Sequence, residues 1–198
     1  MDTRRGSRSG GRPTHRTGTA SGPSFASDVA FTPTVKAMQA RKGSRAAYAR
    51  MEAGAGWRTV ITPELAAFIA RQTSFFIGTA NLAGQPYIQH RGGPPGFLKV
   101  VDEHTLAFAD FGGNRQFITQ GNLADNPRTV LFLIDYEIRR RIKVWGTARV
   151  VDDDCALLLR LTPPDYGANV EAAILVEVAA WDANCPRHIP RLVKAMSP

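Results

Sequence analysis

The sequence has few cysteines and histidines, and their spacing excludes several kinds of site. Two cysteines, Cys155 and Cys185, and four histidines occur in 198 residues, without a C-x-x-C or H-E-x-x-H spacing. Metal sites and disulfide frameworks need denser and closer spacing than this. We therefore predict no metal site and expect both cysteines to be buried, reduced thiols.

Long apolar runs and nucleotide-binding loops are missing as well. No run approaches the roughly 18–20 apolar residues of a membrane span, and no apolar segment follows the arginine-rich N-terminus as it would in a secretory signal. The chain contains no G-x-G-x-x-G after a strand, no Walker lysine loop and no G-x-S-x-G elbow. These absences predict a cytoplasmic protein without membrane contact and disfavour Rossmann, P-loop and serine-hydrolase assignments.

The composition divides the chain into a tail and one folded domain. Residues 1–27 are rich in Gly, Ser, Thr, Arg and Pro with almost no large apolar side chain, which predicts a disordered basic tail. Residues 28–72 are expected to form N-terminal helices, and residues 73–198 a domain rich in strands. The net charge of +8 suits an anionic ligand. Nucleic-acid binding by the tail is the less favoured interpretation.

Capping signals predict helices in the first part of the chain. Thr32 and Thr62 each precede a proline, which is the arrangement of an N-cap followed by proline at the first helical position. Ser44 is predicted to cap a helix between these two. A fourth helix is expected to begin at about Gln116, and a fifth after Asp152.

The apolar pattern becomes strand-like from Ser74 onwards. Strands are predicted at residues 74–80, 85–91, 97–101, 105–110, 128–134, 137–151 and 172–181. Short hairpins with helices at both ends of the strand region favour a small β-barrel over a layered βαβ sheet. Residues 185–196 are expected to form a helix or a coil.

The strongest chemical signal lies in the run Ala109–Leu123. A strand enters a glycine turn that carries Asn114 and Arg115, and a helix follows, so backbone N–H groups lie beside a guanidinium and an amide. Three further basic residues on predicted strands are expected to join the same wall of the barrel: Arg91, Lys99 and Arg141. Three aromatic residues could flank a flat ring: Phe97, Phe108 and Phe111. This pattern predicts a phosphorylated, aromatic ligand.

Several segments of the chain occur in an order that is found in one known family. They are Phe75–Ala80, Gly84–Tyr87, His90–Val100, Phe108–Gln116, Asn122–Pro127, Arg140–Gly146 and Trp181–Ile189. Over about residues 29–195, this order resembles the pyridoxamine-phosphate-oxidase-like, FMN-binding split-barrel family, in particular its bacterial flavin-nucleotide-binding members.

The resemblance implies a fold, an assembly and a cofactor. The fold is a split β-barrel with flanking helices, formed as a single domain, in which residues 73–198 bind flavin. The assembly is a homodimer with FMN at the subunit interface. The expected contacts to FMN are Phe97, Leu98 and Lys99 along the ring, Asp110, Asn114, Arg115 and Gln116 at the phosphate and ribityl end, and Arg141 from the second subunit. The family's usual Ser-Arg-Lys turn is Asn114-Arg-Gln116 here, so Arg91 or Arg141 is expected to replace the missing charge.

The resemblance also implies a function. It suggests an FMN-dependent oxidoreductase acting on an unidentified small molecule, with hydride or electron transfer carried by the flavin. The alternative is a non-catalytic protein that binds flavin, deazaflavin or haem. The C-terminal Arg and His pattern that holds the vitamin substrate in true pyridoxamine phosphate oxidases is not found, so that substrate is not assigned. No side chain is assigned a catalytic role.

Overall fold

The computed structural model describes residues 25–184 and 186–192. Within this part, the helices are a 3₁₀ helix at Ala26–Val29, α1 at Pro33–Arg41, α2 at Arg45–Ala53, α3 at Pro63–Ala70, α4 at Ile118–Asp125 and α5 at Cys155–Leu161. The strands are β1 at Ser74–Ala80, β2 at Pro86–Gly92, β3 at Leu98–Val100, β4 at Thr105–Phe111, β5 at Arg128–Asp135, β6 at Arg140–Val151 and β7 at Val170–Asn184.

The seven strands form one antiparallel sheet with the order β2-β1-β5-β6-β7-β4-β3. The sheet curls, so that its two ends approach each other. The ring centroids of Phe75 on β1 and Phe97 next to β3 are 5.5 Å apart, and Arg91 on β2 forms an ion pair with Asp110 on β4. The curled sheet with flanking helices confirms the predicted split barrel.

Alternating side chains of the strands fill the interior of the barrel. Ile77, Leu131, Ile142 and Val144 are all fully buried, while the residues between them on each strand are more exposed. Burying a side chain of this kind stabilises the fold by about 1.5–3 kcal/mol. Helix α3 joins the same cluster through Leu65, Phe68 and Ile69, which lie on one face of the helix.

Helix α5 covers part of the outer surface of the sheet. Leu161 of α5 packs in a second buried cluster with Ala107, Ala109, Val151 and Ala173. The small alanine side chains on β4 and β7 let the helix approach the sheet closely. Asp154 caps this helix, since its Oδ1 accepts a hydrogen bond of 2.9 Å from the N–H of Leu157. The acid that precedes α5 therefore has a structural role.

A row of aromatic rings joins the N-terminal helices to the barrel. Phe31 contacts Tyr48 of α2 and Trp57 with centroid distances of 5.2 and 5.0 Å. Trp57 in turn stacks on Trp145 of β6 at 4.5 Å and 15°. The buried carboxylate of Glu52 forms ion pairs with Lys36 of α1 and Arg45 of α2, which join these two helices. The segment from Phe31 to Trp57 is thus attached to the outer face of β6.

Several local predictions need correction. Ser44 precedes α2 but makes no side-chain capping hydrogen bond. Helix α4 begins at Ile118 because Arg115 and Phe117 adopt left-handed backbone conformations, with φ of 58° and 53°, that interrupt a helix. Cys155 is exposed rather than buried, because it lies at the first position of α5 on the solvent side.

The strand boundaries also differ in two places. Strand β6 begins at Arg140 because a turn precedes it, in which Asp135 Oδ1 accepts hydrogen bonds from the N–H groups of Glu137 and Ile138. Strand β7 is longer than predicted at both ends, since its pairing with β4 begins at Val170 and its pairing with β6 extends to Asn184.

Parts of two predicted segments fall outside the described residues. These parts are residues 1–24 of the predicted tail, and Cys185 and residues 193–196 of the predicted C-terminal helix or coil. Ser27, which the sequence places in the tail, is buried and donates a hydrogen bond of 3.0 Å to Glu52. Within the part of the chain that is described, no helix has the length and apolar character needed to cross a membrane.

Candidate functional site

A cleft opens between β2, the loop from β4 to α4, and the start of β7. Its volume is about 50 Å³. Five of the predicted site residues line it: Arg91, Asp110, Asn114, Arg115 and Gln116. The remaining lining residues are Tyr87, Gln89, Phe111, Gly113, Phe117, Ile118, Thr119, Gln120 and Glu171. The structure therefore brings together the residues that were expected at the phosphate and ribityl end.

The innermost part of the cleft is an ion pair between Arg91 and Asp110. Their side chains are only 12% and 9% exposed. Gln120 Nε2 donates a hydrogen bond of 3.0 Å to the second carboxylate oxygen of Asp110, and the Arg91 guanidinium lies 5.8 Å from the centroid of the Phe108 ring. The Nε atom of Arg91 is buried and has no hydrogen-bond partner among the described residues. This buried donor is therefore unsatisfied within the part of the chain that is described.

The outer part of the cleft is formed by the loop that precedes α4. Arg115 donates a hydrogen bond of 3.0 Å to Glu171 of β7, and its guanidinium lies 5.2 Å from the centroid of the Phe117 ring. Asn114 Oδ1 accepts a bond of 3.3 Å from the N–H of Gln116. Left-handed backbone at residues other than glycine is concentrated at ligand sites in proteins. The conformations of Arg115 and Phe117 agree with such a role.

The first turn of α4 contributes backbone donors. Its N-cap, Phe117, provides no side-chain hydrogen bond, so the first N–H groups of the helix have no side-chain cap there. Ile118, Thr119 and Gln120 carry these groups and line the cleft. Thr119 is buried, and its hydroxyl donates a hydrogen bond of 2.5 Å to Gln89 of β2. The helix start is thereby fixed beside Arg91, where it can bind an anion.

Four of the predicted cofactor contacts lie elsewhere. The side chains of Phe97 and Leu98 are buried in the barrel core, so only their backbone is available to a ligand. Lys99 is on the edge strand β3, with Nζ 3.4 Å from the carbonyl oxygen of Gly96. Arg141 lies on β6, opposite Ile134 of β5. None of these four lines the cleft of the single chain.

The aromatic residues that could flank a ring are also divided. Phe108 is fully buried and contacts Phe75 edge to face, with centroids 5.0 Å apart. Phe111 lines the cleft and packs on Tyr166 at 5.2 Å. A flat ring in this cleft would therefore meet Phe111 and not the side chain of Phe108.

Charges in the cleft are balanced. The guanidiniums of Arg91 and Arg115 are each paired with a carboxylate, that of Asp110 and that of Glu171. The described residues hold no cluster of three or more His, Cys, Asp or Glu side chains that could bind a metal ion. The chemistry on offer is thus hydrogen bonding to a polar or anionic group, through N–H donors and two guanidiniums.

Sequence reasoning missed Glu171, Gln89 and Thr119. Glu171 lies on β7, 56 residues after Arg115 in the chain. Gln89 could have been found from the alternation of β2, which places it on the same side as Arg91. No local signal identifies Glu171.

Comparison with known proteins adds a family to this geometry. The family model described as pyridoxamine 5′-phosphate oxidase matches residues 61–188. No curated protein matches the sequence.

Among solved structures, HupZ from Group A Streptococcus has a TM-score of 0.52 at 19% identity, over 62% of this chain and 93% of that one. An FMN-binding protein from Syntrophomonas wolfei has a TM-score of 0.49 at 11% identity, over 73% and 96% of the two chains. Identities this low concern the fold alone. Because the family model spans residues 61–188, the chain belongs to the pyridoxamine 5′-phosphate oxidase family.

Proposed function

We propose that this protein binds FMN between two copies of the chain and acts as an FMN-dependent oxidoreductase on a small molecule. The observation that carries the proposal is the convergence of Arg91, Arg115 and the start of α4 on one cleft in a chain of this family. Two guanidiniums and a helix N-terminus are the groups that bind a phosphate.

The residues of the cleft fit the phosphate and ribityl end of FMN. Arg91 retains a buried Nε donor that no other described residue uses. Asn114 and Gln116 provide neutral amides on the same loop. Arg91, Arg115 and the first N–H groups of α4 would hold the phosphate, and Asn114, Gln116 and Asp110 would contact the ribityl hydroxyls. Arg91 would thus supply the positive charge that the lysine of the family's usual Ser-Arg-Lys turn carries and that Gln116 lacks.

The size of the cleft favours a dimer. A volume of about 50 Å³ is far below the roughly 300–1,000 Å³ of pockets that enclose a small molecule. One chain would therefore cover only one end of FMN. The flavin ring would be contacted from the second copy or along the open edge of β3. The contacts would come from Lys99, from Arg141 and from the backbone of Phe97 and Leu98.

An apolar surface is available for the second copy. Beside the cleft, on the outer face of β1, β2 and β5, Ile88 is 70% exposed, and Phe76 is exposed as well. A depression of about 840 Å³ lies along this face and shares Tyr87 with the cleft. Exposed apolar patches of this kind mark association sites, and this one adjoins the cleft.

The division of labour in such an enzyme is simple. FMN supplies the hydride or electron transfer when it is bound, whereas the residues of the chain bind its phosphate, orient it and exclude water. No side chain of the cleft is assigned a catalytic role. The substrate is a small molecule of undefined class, and a cytoplasmic location remains a prediction from the sequence.

One observation favours a second candidate function. Both carboxylates of the cleft, Asp110 and Glu171, already pair with arginines, so neither is left unpaired beside a ligand. This arrangement agrees with a protein that carries flavin, deazaflavin or haem without turnover. Oxidation of NADH or NADPH by the loaded protein, with a dye or oxygen as acceptor, would favour the enzyme, and its absence the carrier.

The proposed cofactor is tested by the visible absorption spectrum of the purified protein, recorded with and without added FMN. Released cofactor is identified by chromatography. We expect a flavin spectrum and a one-to-one ratio of FMN to chain. A Soret band would replace FMN with haem. A colourless protein that ignores added FMN would contradict the proposal and make deazaflavin the next ligand to test.

A further inference from the structure

A β-bulge directs Glu171 into the cleft. In the ladder between β4 and β7, Asp110 opposes Ala172 and Phe111 opposes Val170. Glu171 is therefore the extra residue of β7, facing no residue of β4 in the register. A bulge re-aims the side chain of its extra residue and is common beside functional sites. Here it places a carboxylate beside Arg115.

The loop opposite this bulge leaves room for the carboxylate. A Cβ atom at Gly112 would lie 3.2 Å from Glu171 Oε1, which is closer than side chains normally come. The N–H of Gly112 donates a hydrogen bond of 2.8 Å to the carbonyl oxygen of Asn169, which fixes the loop against the start of β7. A glycine at residue 112 thus allows Glu171 to lie along the loop.

The Arg115 and Glu171 side chains of this ion pair differ in their exposure to solvent. The Arg115 side chain is 67% exposed, whereas that of Glu171 is 26% exposed. Arg115 is long and largely surrounded by solvent, so it can exchange one anionic partner for another at little cost. The backbone of Glu171 is fixed by the ladders of β7, and its side chain is the less exposed of the two. Its carboxylate stays in the cleft as the partner of Arg115, so an incoming phosphate has to compete with it for this guanidinium.

We propose that Glu171 is a specificity-determining residue: it occupies Arg115 as a built-in counter-anion and lowers the affinity of the cleft for phosphorylated ligands. A phosphate then binds by displacing Glu171 from Arg115. The cleft discriminates against small, highly charged anions, which gain nothing from the rest of the site. Ligands that also contact the neighbouring polar and apolar surface overcome the competition. For FMN as the ligand, this inference rests on the proposed function.

The experiment compares the wild-type protein with Glu171→Gln, which keeps the size of the side chain and removes its charge. Binding of FMN, of riboflavin and of inorganic phosphate is measured by fluorescence titration for the flavins and by calorimetry for phosphate. We expect Glu171→Gln to bind FMN and phosphate about threefold to tenfold more tightly, the effect of one partly exposed charge. Riboflavin has no phosphate, so its binding should change less than twofold.

Two further variants locate the effect. Glu177→Gln removes an exposed carboxylate from the same strand outside the cleft, and we expect it to leave all three affinities unchanged. In an Arg115→Ala background, Glu171→Gln should lose most of its gain for FMN, because there is no guanidinium left to release. A gain that persists in full without Arg115 would overturn the proposed exchange.

The outcomes separate this inference from the proposed function. If FMN binds but Glu171→Gln binds FMN and phosphate equally or more weakly, Glu171 supports Arg115 instead of competing for it, and the inference is wrong. If no variant binds flavin but Glu171→Gln binds phosphate more tightly than wild type, the inference holds and the FMN proposal fails. Thermal melting of each variant confirms that the fold is retained.

Discussion

The guanidinium of Arg91 on β2 pairs with the carboxylate of Asp110 on β4, although these strands lie near opposite ends of the sheet. Both side chains are close to fully buried, and Gln120 of α4 binds the same carboxylate. The pair therefore joins the two ends of the curled sheet to the helix that follows the glycine loop. The contacts that close the barrel between β2 and β4 therefore also form the innermost part of the cleft.

Asp110→Asn should destabilise the protein. The amide keeps the size of the side chain but leaves the Arg91 charge buried without its counter-ion, which costs about 2–4 kcal/mol of unfolding free energy. Urea denaturation followed by circular dichroism measures this loss. Asp153→Asn, at an exposed position, serves as the control and should change stability by less than about 0.5 kcal/mol. An equally small loss for Asp110→Asn would show that the pair contributes little to closing the barrel.

Local patterns were sufficient to predict most of the elements. Thr62 and Pro63 define the start of α3, and Thr62 Oγ1 accepts the expected capping bond of 3.3 Å from the N–H of Leu65. Ile142 and Val144 are buried and alternate with Arg141 and other more exposed residues, the period of two that the strand prediction for residues 137–151 implies. These signals depend only on neighbours in sequence. The loop chemistry of Asn114 and Arg115 was visible for the same reason.

Long-range pairing and unusual backbone were not predictable. The partner of Arg115, Glu171, is set by a bulge in a ladder between two distant strands. The left-handed conformations fall on Arg115 and Phe117 instead of on a glycine, so the sequence gives no sign of them. Phe97 resembled a ligand-facing aromatic residue, but the curl of the sheet brings it onto Phe75 in the core. Each of these depends on how the whole sheet closes.

Trp57 and Trp145 should give a spectroscopic signal of their own. Their rings are stacked at 4.5 Å and 15°, so the two indoles are expected to produce an exciton couplet in the far-ultraviolet circular dichroism spectrum. Trp57→Phe should remove the couplet and retain most of the stacking energy of about 0.5–1.5 kcal/mol. Trp57→Ala should remove both. A couplet that survives in Trp145→Phe would contradict the attachment of the N-terminal helices to β6.

Asp182 should make stability fall as the pH rises. Burial raises the pKa of this carboxyl above its ordinary value of 3.8, although Lys143, opposite it on β6, partly offsets the rise. From pH 3.8 up to the raised pKa, the folded state keeps a proton that the unfolded state has lost, so unfolding becomes easier with each increase in pH. Asp182→Asn should remove this dependence and stabilise the protein at neutral pH, as measured by urea denaturation at a series of pH values.

The pKa of Asp28 is shifted in the opposite direction to that of Asp182. A hydrogen bond of 2.6 Å from Lys36 lowers the pKa of Asp28 below 3.8, so its contribution to stability is present above pH 3.8 and is lost as the pH falls through the lowered pKa. Asp28→Asn should therefore destabilise the protein at neutral pH. If Asp182→Asn and Asp28→Asn changed stability in the same way across the pH series, the opposite pKa shifts given for the two carboxyls would be wrong.

Arg115→Ala should weaken the binding of FMN. A charged hydrogen bond to a phosphate contributes roughly 1.5–3 kcal/mol, and we expect the lower end because Arg115 must first leave Glu171. The change is measured by quenching of flavin fluorescence, and riboflavin should bind both proteins alike. Arg149→Ala, an exposed arginine of β6 outside the cleft, is the matched control. Unchanged affinity for FMN in Arg115→Ala would place the phosphate elsewhere.

Ile88→Asp should separate the proposed dimer and reduce its affinity for FMN at the same time. Ile88 is 70% exposed and lines the depression on the outer face of β1, β2 and β5, and an aspartate there would carry an unpaired charge into the interface, at a cost of several kcal/mol. Light scattering after size-exclusion chromatography gives the mass, and fluorescence titration gives the affinity for FMN.

Leu159→Asp is the matched control for this change. Leu159 is 78% exposed on α5, away from the apolar face of β1, β2 and β5, so its replacement should alter neither mass nor affinity. Since one chain encloses only about 50 Å³, the Ile88 variant should lose affinity for the whole of FMN while still responding to inorganic phosphate. A wild-type protein that is monomeric at micromolar concentration and still holds FMN would exclude the shared site, and an Ile88→Asp variant that remains dimeric would move the interface to another surface.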